Sequence, residues 1–225
     1  MISANSLIKY LKIIFFILFF HTGFSQCSFN VEILDCFQNN ETNLFEYSLF
    51  KEDSLIGKYH QSKYFEKFPK GNYRIVFETL YSANITKHFT LNDKFPKTIK
   101  LCIDDIPKTI SVKEKDYLIS NIKNNEKVTL KFLFSGCFNE KEYILSFQKK
   151  KNDLFLIYNN KKRNITSKVG IIREFEKGLF SLKKTNIIST SNALYYIETK
   201  NSKFNYNDPG IWSGFNKMLI KLNIE

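Results

Sequence analysis

YRIVFETL, at residues 73–80, is the clearest strand signal in the chain and decides how its first half is interpreted. Tyr73, Ile75 and Phe77 are the aromatic and β-branched side chains that a half-buried pleated surface prefers. Turn residues precede this run, and similar short runs lie around it at 29–36, 44–50, 87–91 and 98–104. Many short strands separated by turns predict an antiparallel, all-β sandwich.

The second half shows a different pattern. Alternating apolar runs at 128–134, 142–148 and 153–159 predict a three-strand antiparallel meander. Apolar residues recur at helical spacing from Val169 to Leu182, and residues 193–200 form a further strand signal. A short helix is predicted after Asp116, and a final one after Asp208, with Pro209 at its first position. This half is therefore predicted to be an α+β domain, an antiparallel meander with two main helices.

Residues 1–25 have the pattern of a secretory signal peptide. Lys9 and Lys12 precede an apolar run at 13–20, and small residues stand just before Gln26. The run is shorter than the roughly 20 apolar residues that span a bilayer, so no transmembrane segment is expected in the mature chain. We expect a secreted protein, periplasmic or extracellular, and associated with a bacterial envelope. A lipid anchor on Cys27 is the alternative, although Gln26 stands where lipoprotein signals carry a small residue.

Charge divides the mature chain at the same place as the strand pattern. Residues 26–107 contain 10 Lys and Arg against 11 Asp and Glu, a net charge of −1. Residues 108–225 contain 22 against 11, a net charge of +11. We therefore predict a β-sandwich domain at 26–107 and a basic α+β domain at 108–225.

The positive charge suggests a partner but does not favour nucleic acid. Only Arg74, Arg163 and Arg173 are arginines, and nucleic-acid recognition favours the bidentate arginine fork. An anionic envelope surface or a partner protein is more plausible. The predicted contacts are Lys149, Lys150, Lys151, Lys161, Lys162 and Arg163. The alternative is that these residues are solvated strand ends.

The positions of the cysteines and histidines favour a structural disulfide over a metal site or a catalytic site. Cys36 and Cys102 lie in the first and last predicted strands of the sandwich, so a disulfide between them is expected. No C-x-x-C pair occurs and no histidine follows His88, so we predict no metal, no cofactor and no catalytic residue. Cys137, in FSGCFNEKEY at 134–143, could be a nucleophile at a sharp turn. A hairpin with a buried or disulfide-bonded cysteine is the favoured interpretation.

One stretch of the first half resembles a known family. FEKFPKGNYRIVF, at 65–77, is similar to a hairpin of transthyretin-like domains, also called prealbumin-like or carboxypeptidase-regulatory-like domains. The matching positions are Phe68, Pro69, Gly71, Tyr73 and Ile75. The resemblance implies a β-sandwich and a non-catalytic module of a secreted or cell-surface protein. We recognise no family in the C-terminal half.

These patterns lead to three functional hypotheses. The first is a non-catalytic exported envelope protein that acts as a protein-binding or surface-binding module. The second is an immunity or inhibitor protein directed against a secreted toxin or hydrolase. The third is a hydrolase that uses carboxylates gathered between the two halves. Because no catalytic set is evident, we favour a protein that is not an enzyme.

Overall fold

A computed structural model describes residues 26–42, 45–92, 95–183, 190–210 and 212–224. The predicted signal peptide lies outside these residues. The described chain is mostly β-sheet: fourteen strands in three sheets, with two short α-helices. None of the helices in the described part of the chain is long and apolar enough to cross a membrane.

The first half forms two four-stranded sheets that pack face to face. Phe29 contacts Phe65 and Phe68 in its own sheet and Tyr73 and Phe89 in the other, with ring centroids 4.7–6.3 Å apart. The first sheet contains β1 (Gln26–Asp35), β2 (Asn40–Glu41), β5 (Lys63–Pro69) and β8 (Lys97–Cys102). The second has the order β4 (Ser54–Tyr59), β3 (Tyr47–Lys51), β6 (Gly71–Glu78), β7 (Asn84–Leu91).

The pairing of β1 with β8 differs from the antiparallel pattern that the sequence predicts. The two strands run parallel, with Phe29 beside Lys97 and Leu34 beside Cys102, whereas the other described strand pairs are antiparallel. A parallel pair needs a long crossover connection, and strands β2 to β7 provide it. The pairing brings Cys36 and Cys102 together at the ends of their strands.

The second half contains one six-stranded antiparallel sheet, which confirms the predicted meander. The strand order is β12 (Lys161–Asn164), β11 (Asp153–Tyr158), β10 (Glu140–Lys150), β9 (Lys127–Ser135), β13 (Asn192–Glu198), β14 (Lys203–Asp208). Strands β12 and β14 form its two edges. Both are short; β12 is entirely polar, whereas β14 alternates Phe204 and Tyr206 with polar residues.

Two helices cover one face of this sheet. They are α1 (Val169–Ser181), as predicted, and α2 (Gly214–Leu222). The second helix begins later than the sequence indicates, because Gly210, one residue after the predicted first position, has φ +76°, outside the right-handed helical region. Phe215 on α2 stacks on Phe132 of β9 with centroids 4.0 Å apart. The helix predicted after Asp116 does not form; only a 3₁₀ turn at Glu114–Asp116 is present there.

The two halves share buried side chains where they meet. The buried apolar residues form one continuous cluster that extends from Cys27 to Leu222. At the junction, Trp212 Nε1 donates to the Tyr81 hydroxyl at 2.9 Å, and Lys183 Nζ lies 3.0 Å from Glu78 Oε1. The sheets change at the predicted boundary, since the first two end at Cys102 and the third begins at Lys127, but the core is continuous across it.

Candidate binding surface

The six-stranded sheet has an uncovered outer face. Its inner residues, such as Leu130, Phe147 and Ile197, are fully buried under the helices. On the outer face, Ile144 is 51% exposed and Tyr196 is 38% exposed. Single exposed apolar residues are common, but several adjacent ones on an ordered sheet are typical of an interaction surface.

Strand register defines the composition of this outer face. Lys131 on β9 lies between Ile144 and Tyr196, and Leu133 lies between Glu142 and Leu194. Lys131 Nζ makes an ion pair with Glu142 Oε1 at 2.8 Å. The outer face therefore combines exposed apolar side chains with an ion pair that lies among them. A shallow groove of about 380 Å³ continues from it, lined by Leu133, Phe134, Ser135, Glu140, Lys141, Glu142, Asn192 and Leu194.

The structure does not place the six predicted basic contacts in one patch. Lys149 lies opposite Leu154, at one end of β11, and Lys161 lies opposite Tyr158, at the other end. Four residues of strand separate these points by about 13 Å. Lys149–Lys151 and Lys161–Arg163 are therefore two separate groups on the same three strands.

The second basic group is also divided between the two faces of the sheet. Lys162 lies on the outer face, with its Nζ 4.2 Å from the centroid of the Phe155 ring. Lys161 and Arg163 pair with Tyr158 and Leu156, which places them on the helix side. The Arg163 guanidinium there donates from Nη1 to the Asn223 carbonyl at 2.8 Å, near the C-terminal end of α2. A cation at that end of a helix is favoured by the helix dipole.

A cavity of about 140 Å³ lies beside Lys161 and Arg163. Leu156, Tyr158, Asn159 and Ile224 complete its lining. The hairpin that supports it turns through Asn159 and Asn160, both with positive φ, at 47° and 60°. This is the backbone of a tight two-residue turn, in which asparagine is a preferred residue. The cavity therefore has two cations on a well-defined hairpin.

Two acids at the junction of the halves, Asp35 and Asp104, share one backbone donor. Asp35 Oδ1 accepts from the Phe37 N–H at 3.0 Å, and Asp104 Oδ2 accepts from the same N–H at 3.3 Å. Burial raises the pKa of Asp35, and Asp104 nearby adds to the shift. The adjacent cavity measures about 30 Å³, enough for one or two waters. The two carboxylates hold a turn by accepting backbone hydrogen bonds, and the space beside them cannot hold a sugar or a peptide.

A fully buried carboxylate fixes the segment between the halves. Glu176 on α1 accepts hydrogen bonds from the N–H groups of Leu118, Ile119 and Ser120, at 2.7–2.9 Å, and from the Ser120 hydroxyl. The chain is extended at Tyr117, with φ −71° and ψ 127°, so the helix predicted after Asp116 does not begin there. Burial raises the pKa of Glu176 although these four hydrogen bonds oppose the shift. Its partners give it a structural role.

The cysteines have three different environments. Cys36 and Cys102 form a disulfide, with sulfur atoms 2.00 Å apart, as the sequence analysis expects. Cys27 is a free thiol buried in the sandwich core, 2% exposed, where a lipid-modified sulfur would have no room. Cys137 is also free but exposed, so its predicted burial or pairing is wrong: the hairpin is present, and Cys137 lies in its solvent-exposed turn.

Comparisons with known proteins assign no family to this chain. No protein-family model matches it, and no curated protein is detectably similar to it. The similarity of residues 65–77 to transthyretin-like domains therefore remains a prediction.

Sequence reasoning identified the basic residues of β12 but not the cavity beside them or the apolar outer face. Ile144, Leu133 and Leu194 alternate with core residues along their strands, and period-two alternation alone does not distinguish the buried face from the solvent-exposed one.

Proposed function

We propose that this chain is a non-catalytic, exported binding module that docks a partner protein on the outer face of its six-stranded sheet. The observation that carries the proposal is the exposure of two large apolar side chains on that face, Ile144 and Tyr196, which neither the helices nor the first half covers. Lys131 and Glu142 form an ion pair among these side chains, and protein interfaces commonly combine apolar contacts with polar ones. The leader at residues 1–25 supports export, and a transthyretin-like first half would suit an envelope module.

The distribution of the basic residues favours a protein over a flat anionic surface. A membrane attracts cations that lie together on one side of a molecule. Here Lys162 lies on one face of the sheet, Lys161 and Arg163 lie on the other, and Lys149 is about 13 Å from Lys161 along the strands. The engaged carboxylates at the junction give the hydrolase hypothesis no comparable support.

A pair of isoleucine substitutions tests the proposed surface. Ile144 on the outer face and Ile220 on α2 are 51% and 52% exposed, so Ile144→Glu and Ile220→Glu make the same change at equally exposed sites. Partners would be crosslinked in envelope extract to the chain from Gln26 onward, identified by mass spectrometry, purified and measured for Kd. We expect Ile144→Glu to weaken the purified complex by about tenfold or more and Ile220→Glu to leave it unchanged.

The outcomes separate the hypotheses. Equal binding by all three proteins, or no purified partner that binds the original chain, would overturn the proposed surface. A partner that is a hydrolase or toxin, and that loses activity on binding, would make the module an inhibitor. Circular dichroism on both variants would show that the fold is retained.

A further inference from the structure

Strand β12 leaves backbone groups open at the edge of the six-stranded sheet. The Ile165 N–H donates to the Leu154 carbonyl of β11 at 2.8 Å. Backbone groups of successive residues in an antiparallel strand point alternately to the two sides. The groups of Lys161 and Arg163 therefore point toward β11, and those of Lys162 and Asn164 point away from it, toward the open edge.

The side chains on this edge are all cationic or polar and exposed. Lys161, Lys162 and Arg163 follow one another, and Asn164 completes the strand. Lysines on an edge strand discourage indiscriminate pairing with other strands. The same charges favour a strand that carries acids at the facing positions, because opposite charges across a strand pair are stabilising. The edge is therefore selective for an acidic strand.

The cavity beside β12 adds a specific position for one acidic side chain. Lys161 and Arg163 contribute cations to its lining, and Leu156 and Ile224 contribute apolar surface. Among the described residues, Lys161 has no acidic partner, and Arg163 is held in position by its bond to the Asn223 carbonyl. The cavity volume of about 140 Å³ is enough for a carboxylate with one or two methylene groups.

We propose that an acidic, extended segment of a partner protein pairs with β12 as an added strand and places a carboxylate in the cavity between Lys161 and Arg163. This inference rests on the proposed function, because it names the class of partner that the binding module takes. Backbone hydrogen bonds to Lys162 and Asn164 provide affinity in this mode of recognition, and alternate side chains provide specificity. An acid on the other side of the added strand meets Lys162.

The test uses the chain from Gln26 onward with capped peptides of alternating Glu and Thr. A matched peptide carries Gln in place of Glu. ¹⁵N-labelled protein would be titrated by NMR at low and at physiological salt. We expect the amide signals of Lys162 and Asn164 to shift and to become protected from exchange with the Glu peptide, and the Gln peptide to bind about tenfold or more weakly.

Two variants and a control separate charge from strand pairing. The pair Lys161→Gln and Arg163→Gln should reduce affinity about tenfold or more, and the pair Lys149→Gln and Lys151→Gln, with the same charge change at the far end of β11, should not. Lys162→Pro removes the charge and an N–H that points to the open edge, whereas Lys162→Gln removes only the charge; proline is tolerated at such positions. Only the proline variant should abolish the exchange protection. Thermal unfolding would show that each variant folds.

Several results would overturn the inference. Equal binding of the Gln peptide, equal loss in the Lys149 and Lys151 pair, or retained binding by Lys162→Pro would each do so. Binding of inorganic phosphate or phosphatidylserine vesicles, with no response to the peptide, would replace an acidic strand with an anion or a membrane. If the peptides fail but Ile144→Glu still loses its partner, the proposed function stands and only the occupant of β12 is wrong.

Discussion

The two halves of the chain bury their sheets in different ways. In the first half, two four-stranded sheets face each other, so Phe29, Tyr73 and Phe89 form a core between layers of the same kind. In the second half, helices cover one face of a single sheet, and the outer face around Ile144 stays open. An antiparallel sheet can leave one face in solvent. A binding surface on that face does not require any core side chain to become exposed. Under the proposed function, the first half therefore contributes stability and the second half contributes the binding surface.

Each half also has its own brace. In the first half it is covalent, since the Cys36–Cys102 disulfide joins β1 to β8 across a sequence separation of 66. In the second half it is polar, since Glu176 holds three backbone N–H groups of the connecting segment. A disulfide acts mainly on the unfolded chain, whereas a buried carboxylate acts on the folded one. Loss of the disulfide should therefore destabilise the chain mainly through the unfolded state, and loss of the Glu176 carboxylate mainly through the folded state.

Removing the disulfide should have the largest effect. For a closed loop of this length, the chain-entropy argument gives about 4 kcal/mol of stabilisation, so replacing both cysteines by alanine should lower the free energy of unfolding by about that amount. Urea denaturation, followed by the fluorescence of Trp212, the single tryptophan of the chain, measures it.

Cys137→Ser is the matched control for this experiment. Cys137 is free and exposed, so its replacement should change the free energy of unfolding by less than about 0.5 kcal/mol. Reduction of the original chain should reproduce the loss seen in the double variant. A double variant as stable as the original chain would show that sheet packing alone closes the first half.

Local patterns predicted the parts of the fold that depend on neighbouring residues. Alternation from Val128 to Phe134 identified β9, and helical spacing from Val169 to Leu182 identified α1. The helix predicted after Asp116 is absent, and the N–H groups of residues 118–120 bond instead to Glu176, which lies far along the chain. A tertiary partner of this kind is not visible in a local pattern.

The second-largest effect is expected at Glu176. Glu176→Gln keeps the side-chain volume but turns an amide group toward backbone donors, so at least one N–H loses its acceptor. We expect a loss of about 2–3 kcal/mol in the free energy of unfolding. Glu174→Gln, two residues away at an exposed ion pair with Lys221, should cost less than about 1 kcal/mol. Equal losses would show that charge on α1 matters and the buried network does not.

The same substitution should change the dependence of stability on pH. Because the pKa of Glu176 is raised in the folded state, mainly by burial, the folded chain binds this proton more tightly than the unfolded chain. The stability that Glu176 gains from this difference is fully present below the ordinary carboxyl pKa and is lost as the pH rises through the raised pKa of the folded state. Glu176→Gln should reduce this slope, and the part that remains should come from groups such as Asp35, whose pKa is raised in the same direction.

The candidate surface was only partly predictable. The sequence shows that Lys161, Lys162 and Arg163 are adjacent, and we expected them to act together with Lys149. Strand geometry separates them, since neighbours in a strand point to opposite faces and the β11 strand holds the two groups apart. The face around Ile144 could not be predicted, because its exposure depends on which side of the sheet the helices cover.

The smallest effect distinguishes packing from helix propensity where the halves meet. Gly170 and Gly178 both lie in α1, and alanine favours a helix by about 1 kcal/mol over glycine. A Cβ at Gly170 would have no heavy atom within 4 Å, but one at Gly178 would lie 2.7 Å from Cζ2 of Trp212. We therefore expect Gly170→Ala to stabilise the chain by up to about 1 kcal/mol and Gly178→Ala to destabilise it by about 1–2 kcal/mol, with a change in Trp212 fluorescence. If both substitutions stabilise the chain, the indole can move aside and the junction is looser than the contact of Trp212 with Tyr81 indicates.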